Sequence, residues 1–146
     1  MKEMVSEYRT NGVTESKKVG LCWIYHTTKD LSDVTITSSF ASEVPDSSAV
    51  ASAFTSYKMG ELALASSRKA VLYLSCSSEQ FEADSSRRTT TLRVEASNRY
   101  EPDGSPEEIR RNNLTITHSV ALALAEGLGC ENNADLPSVF KMAPVA

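Results

Sequence analysis

Two histidines, a short run of carboxylates and a scatter of arginines are the residues of this 146-residue chain whose types could do chemistry. His118 stands in Thr117-His118-Ser119-Val120-Ala121-Leu122, which superficially resembles the helix of a zinc protease. That chemistry needs H-E-x-x-H, with two ligands one turn apart and a glutamate as base. Ser119 holds the glutamate position and Leu122 the second histidine position, so the motif is absent. His26 follows an apolar run and precedes Asp30 and Asp33. An imidazole beside a carboxylate can activate a serine, but no G-x-S-x-G nucleophile turn is present. Serine is common enough here that Ser–His–Asp sets arise by counting alone. His26 and His118 stand as weak acid–base candidates, a strand-end histidine and a helix residue in the simpler reading. No catalytic residue is assigned.

Glu79, Glu82 and Asp84 fall in a polar stretch. Calcium takes about six to eight oxygen ligands, and the spacing lacks the EF-hand pattern and its glycine. A solvated loop is the simpler account. A two-metal nuclease of the ribonuclease H type would need carboxylates projecting from central strands. The apolar runs 19–25 and 71–76 contain none. There is no P-loop and no glycine-rich dinucleotide turn. No metal and no cofactor is expected.

Arg87, Arg88, Arg93, Arg99, Arg110 and Arg111 are a possible interaction surface if the fold brings them to one side of the sheet. Such a surface could meet RNA, an acidic protein or a phosphate. Ordinary pairing with Glu95, Glu107 and Glu108 is the simpler alternative. The formal net charge of −4 and pI near 5.2 argue against broad nonspecific nucleic-acid binding, which phosphate neutralisation drives. No RNP-like aromatic pattern supports an RNA platform.

The elements that must position these residues follow from periodicity. A pattern of two apolar-alternating runs and a longer helical run is read twice, over 18–67 and 68–129. Val19, Leu21, Trp23 and Tyr25 alternate with Gly20, Cys22, Ile24 and His26, and both sets are largely apolar. That predicts a central strand covered on both faces. Val34, Ile36 and Phe40 alternate with Thr35, Thr37 and Ser39, so the two runs form a hairpin. Pro45 ends it. Val50, Phe54, Tyr57 and Leu64 share a helical stripe, which Gly60 interrupts. Either the helix ends near Met59 and 61–65 is extended, or the helix continues.

Residues 71–76 form a buried strand, and 89–97 a strand with Thr91, Arg93, Glu95 and Ser97 on a wet face. Ser105-Pro106-Glu107-Glu108 fits a capping box with proline at the first helical position. Ile116, Val120, Leu124 and Leu128 form the ridge of that helix, and Gly127 and Gly129 are its stop signals. A short turn is possible over 136–140.

These elements predict an α+β fold: a two-layer ββαββα-like domain, an antiparallel sheet with two helices on one face. The expected organisation is an N-terminal tail or arm over 1–17, one domain over 18–131 and a C-terminal tail over 132–146. Cys22, Cys76 and Cys130 are odd in number and far apart, so buried free thiols are expected and a disulfide framework is not. The N-terminal residues show no apolar signal core, and no run reaches the roughly 20 apolar residues of a membrane helix. The expected location is intracellular, and Asn113-Leu114-Thr115 is a chance sequon.

With no intact catalytic motif, the leading expectation is a non-catalytic protein-interaction or self-assembly module, a homo-oligomer or a binder of another protein. The threonine- and serine-rich second hairpin offers an edge for pairing. A coat-like or RNA-binding assembly protein is the first alternative, since strand hairpins followed by a long helix also suit a small shell protein. A small hydrolase or transferase using a histidine and carboxylates is the second. Nucleic acid is the less favoured partner, and a membrane is not expected.

Overall fold

A computed structural model describes residues 1–11, 17–25, 33–81 and 89–145, with only the backbone described at Glu7, Thr10 and Asn11. In chain order the elements are α1 (Lys2–Asn11), β1 (Val19–Ile24), β2 (Val34–Ala41), β3 (Thr55–Tyr57), β4 (Leu62–Ala65), β5 (Lys69–Ser77), β6 (Thr89–Asn98) and α2 (Pro106–Leu128). Short 3-10 turns lie at Ser47–Ala49, Glu79–Phe81 and Glu131–Asp135. The six strands form one sheet in the order β1-β2-β6-β5-β4-β3, with every pairing antiparallel. The α+β class and the antiparallel sheet are therefore as the sequence predicts.

Alternation gives the sheet two different faces. Ile36 and Phe40 of β2, Leu72 and Leu74 of β5, and Leu92 and Val94 of β6 point into the main core. Both helices lie on that face. α1 inserts Met4 beside Ser38 and stacks Tyr8 on Phe40 and Phe81, with ring centroids 5.2 and 5.0 Å apart. α2 buries Leu114, Ala121, Leu124, Ala125 and Leu128. Its predicted ridge is turned slightly, because Ile116 and Val120 sit at the boundary rather than in the core. The cap is as expected: the Ser105 hydroxyl accepts from the Glu108 amide at 3.3 Å, and Gly129 closes the helix at φ 68°.

The two-helix detail is met by different residues, and the twofold repeat is absent. Residues 50–59 are not helical, and the segment expected as an arm begins with α1. The spacing of Val50 and Phe54 comes from a loop that packs both onto Leu64, Val71 and Tyr73. β4 settles the open alternative in favour of an extended chain. Leu62 and Leu64 fill one side and Ala63 and Ala65 the other, so its continuous apolar run serves two cores. Gly60 makes the β3–β4 turn at φ 58°, where a Cβ would stand 2.5 Å from the Tyr73 carbonyl oxygen.

Two further expectations are overturned. β1 is an edge strand, not a central one, and Trp23, Ile24 and Tyr25 are exposed around its end. Periodicity reports which side chains are apolar, not which strands are neighbours. Cys76 and Cys130 form a disulfide, with Cα atoms 5.0 Å apart. The turn at Gly129 brings Cys130 back over β5, a contact that a separation of 54 residues conceals in the sequence. Cys22 is the free cysteine and is half-buried.

Candidate functional site

The face of the sheet away from the helices carries the polar residues. Strand register aligns them in rows across the sheet. One row is Trp23, Thr35, Ser97 and Lys69, and the next is Gly20, Thr37, Glu95 and Val71. A third is Ser39, Arg93 and Tyr73. Ala41, Val44, Val50 and Phe54 cover the part of this face over β4 and β5. Over β1, β2 and β6 no helix among the described residues lies on this face. A bulge between Gly20 and Cys22 keeps Trp23 on this side, with its indole lying over Gly20.

Glu95 is the electrostatic centre. Only 6% of its side chain is exposed, and three cations close on it. The Lys18 ammonium lies 3.3 Å from both carboxylate oxygens, and that of Lys69 lies 3.2 Å from Oε1. The Arg93 guanidinium pairs with Oε2 and also donates to the Tyr73 hydroxyl at 3.3 Å. Ser97 donates to Oε1 at 3.2 Å. Burial pushes the carboxyl up, but Arg93, Lys18 and Lys69 together outweigh it and hold Glu95 below its ordinary value. Arg93–Glu95 pairing is the simpler alternative from the sequence. The two lysines were missed. Their one signal was position: Lys69 opens β5 opposite Ser97, and Lys18 immediately precedes β1.

The four described arginines of that set are divided between the two layers. Arg93 is on the open face. Arg110 and Arg111 belong to α2 on the other layer, where Arg110 donates to the Tyr57 hydroxyl at 2.9 Å and Arg111 pairs with Glu107 at 3.2 Å. The Arg99 amide donates to the Asp33 carbonyl, and its own carbonyl accepts from Arg68. Arg87 and Arg88 lie outside the described residues, as do His26, Glu82 and Asp84.

His118 is 3% exposed, donates from Nε2 to the Pro137 carbonyl at 2.6 Å and lies against Phe140. No carboxylate is among its partners within the described residues. It fastens the segment after α2 rather than serving a pocket. Asn113 is also buried, bonded to Asn98 and to the Ser66 carbonyl, so its sequon is closed to modification in the folded chain. Among the described residues no group of three or more His, Cys, Asp or Glu side chains could hold a metal. Clefts of about 680 Å³ beside α1 and 510 Å³ beside the β3–β4 turn bring no histidine to a carboxylate. No helix among the described residues is long and apolar enough to cross a membrane.

The sheet's edges differ. The outer side of β3 is covered by the chain's own C-terminal segment: the Lys58 amide donates to Ala143 at 2.8 Å, and the Val145 amide to Ser56 at 2.9 Å. Among the described residues β1 pairs with β2 alone. Around it are Trp23, 52% exposed, and Tyr25, 57% exposed. On the helical side Leu21, Val120, Ala123 and Leu124 line an apolar groove of about 270 Å³. The second hairpin, expected to supply a free edge, is central instead, because β2 and β4 flank β6 and β5. Compared with known proteins, the chain matches no family model, no curated protein and no solved structure.

Proposed function

We propose that this chain is a non-catalytic self-assembly module whose copies pair edge to edge through β1. The observation that carries this reading is the contrast between a β3 edge covered by the chain itself and a β1 edge that, among the described residues, pairs with β2 alone beside exposed aromatic residues. A bare strand edge is a template for another strand. Its occupant is a second copy because β1, Val-Gly-Leu-Cys-Trp-Ile, contains no charge, so self-pairing sets no like charges opposite one another. A two-fold axis between Leu21 and Cys22 would set Gly20 opposite Trp23 and Val19 opposite Ile24. Each pair then joins residues on one face, as an isologous interface requires.

The arginine-surface and histidine-enzyme readings are less well supported. The described arginines are divided between two layers, and His118 is engaged by Pro137 and Phe140. The intracellular location expected from the sequence agrees with this reading only where the surroundings leave Cys76–Cys130 formed or the fold tolerates its reduction.

Cys22 tests the interface directly, since the proposed axis brings the two copies' Cys22 Cα atoms within about 6 Å, a distance a disulfide spans. Light scattering during size-exclusion chromatography should show a dimer or larger species, and mild oxidation should cross-link it through Cys22. Ile24→Lys should give a monomer and abolish the cross-link. A wild-type monomer, or an oligomer indifferent to both Cys22 and Ile24→Lys, would overturn the reading.

A further inference from the structure

We infer that the open sheet face beside β1 binds single-stranded nucleic acid, its phosphates held by Lys18, Lys69 and Arg93 and a base stacked on Trp23. This surface is the face of the sheet, not its edge, and its use does not depend on whether copies pair through β1. The chain carries net charge −4, yet its charges are segregated here. Among the described residues three cations meet one carboxylate, Glu95, so that cluster carries a surplus of two positive charges. The side chains of Lys18 and Lys69 are 53% and 39% exposed, so both ammonium groups reach solvent while touching Glu95. Ser97 and Thr35 stand in the row between Lys69 and Trp23, while Lys18 reaches Glu95 from the start of β1, the strand that carries Trp23.

That row crosses four strands. At about 4.8 Å per strand it separates Trp23 from Lys69 by roughly 14 Å. Ammonium groups that reach Glu95 from β5 and from the start of β1, with an exposed indole on β1, match a sugar-phosphate backbone with an unpaired base. Base–aromatic stacking over a cationic track is how sequence-tolerant single-strand binding works. A duplex is disfavoured because a flat sheet offers no element to enter a groove and a paired base cannot reach the indole. An acidic peptide would use the lysines but gain nothing comparable from Trp23.

Trp23 is the chain's one tryptophan, so its fluorescence reads this surface without a label. The probe is an oligouridylate of about 16 nucleotides, titrated at several salt concentrations with anisotropy read in parallel. The expected result is quenching that tracks anisotropy and an affinity that falls with salt. Lys18→Gln with Lys69→Gln leaves Arg93 on Glu95 and should lower the slope of log affinity against log salt by about 1.4, at about 0.7 for each phosphate no longer neutralised. Trp23→Leu should weaken binding about tenfold. Absence of binding at low salt, or an unchanged slope in the double variant, would overturn the inference. So would tighter binding of a polyglutamate or of a duplex of equal length.

Discussion

At one edge of the sheet β3 and the adjoining Lys58 exchange backbone hydrogen bonds with Ala143 and Val145 of their own chain, while at the other, among the described residues, β1 is paired with β2 alone and ends beside exposed Trp23, Ile24 and Tyr25. The covered edge costs the chain a long return path. After α2, the Gly129 turn, the Cys76–Cys130 disulfide and the His118–Pro137 hydrogen bond each hold that return against the sheet. The bare edge has no comparable device among the described residues. Natural sheets blunt unwanted edges with charge, proline, bulges or cover. β1 has no charge or proline and, among the described residues, no cover; its one such device is the bulge between Gly20 and Cys22, so it is less protected than β3.

Breaking the covered edge at its strongest fastening should give the largest effect. Replacing both Cys76 and Cys130 by alanine frees a loop closed across 54 residues. On the chain-entropy account this removes about 4 kcal/mol of stability, measured by urea denaturation. Amide exchange should rise in β3 and in residues 143–145 before it rises in β1. A loss under about 1 kcal/mol would mean that burial of Leu136 and the His118 contact hold the return path unaided.

The bare edge has its own anchor in Glu95, which grips Lys18 at the start of β1. Glu95→Gln keeps the shape but leaves three cations converging on a neutral amide. It should cost about 2 kcal/mol and loosen β1 rather than β3. Acid should reproduce it. Burial raises the carboxyl, the three cations more than reverse that, and the folded-state value lies below the ordinary 4.5. A group depressed on folding contributes its stability above the unfolded value and loses it as pH falls through the folded one. The stability gap between wild type and Glu95→Gln should therefore be constant near neutrality and close as pH drops below 4.5. A gap that persists in acid would assign the loss to packing instead.

How far the sequence disclosed this arrangement depends on the range of the interaction. Local signals transferred well. The Ser105–Pro106 start and Gly129 stop of α2 are both present, and the alternation of 89–97 placed Arg93 and Glu95 on the open face. Signals that depend on neighbours did not. β1 looked like a central strand because its exposed apolar residues have the composition of a core. The Val50–Phe54 spacing imitated a helix although its burial partners are on β4 and β5. Of the open-face cluster, Arg93 and Glu95 were legible because they are two residues apart on one strand. Lys18 lies 77 residues from Glu95, and only the sheet order brings them together.

The smallest expected change in stability carries the sharpest test of the two edges. Deleting residues 143–146 removes two backbone hydrogen bonds from β3 and the bridge at Pro144. Because the exposed groups regain water, the loss should be about 1 kcal/mol. Assembly should change far more. With β1 alone available, pairing about a two-fold axis closes at the dimer. With β3 also bare, each copy offers two edges, and growth can continue without closure. Size-exclusion profiles of the truncated chain should broaden toward large species, and adding Ile24→Lys should return a discrete particle by leaving β3 as the one pairing edge. An unchanged size after truncation would show that the tail does not protect β3. The contrast between the edges would then lie in β1's exposed apolar side chains rather than in which strand has a free backbone.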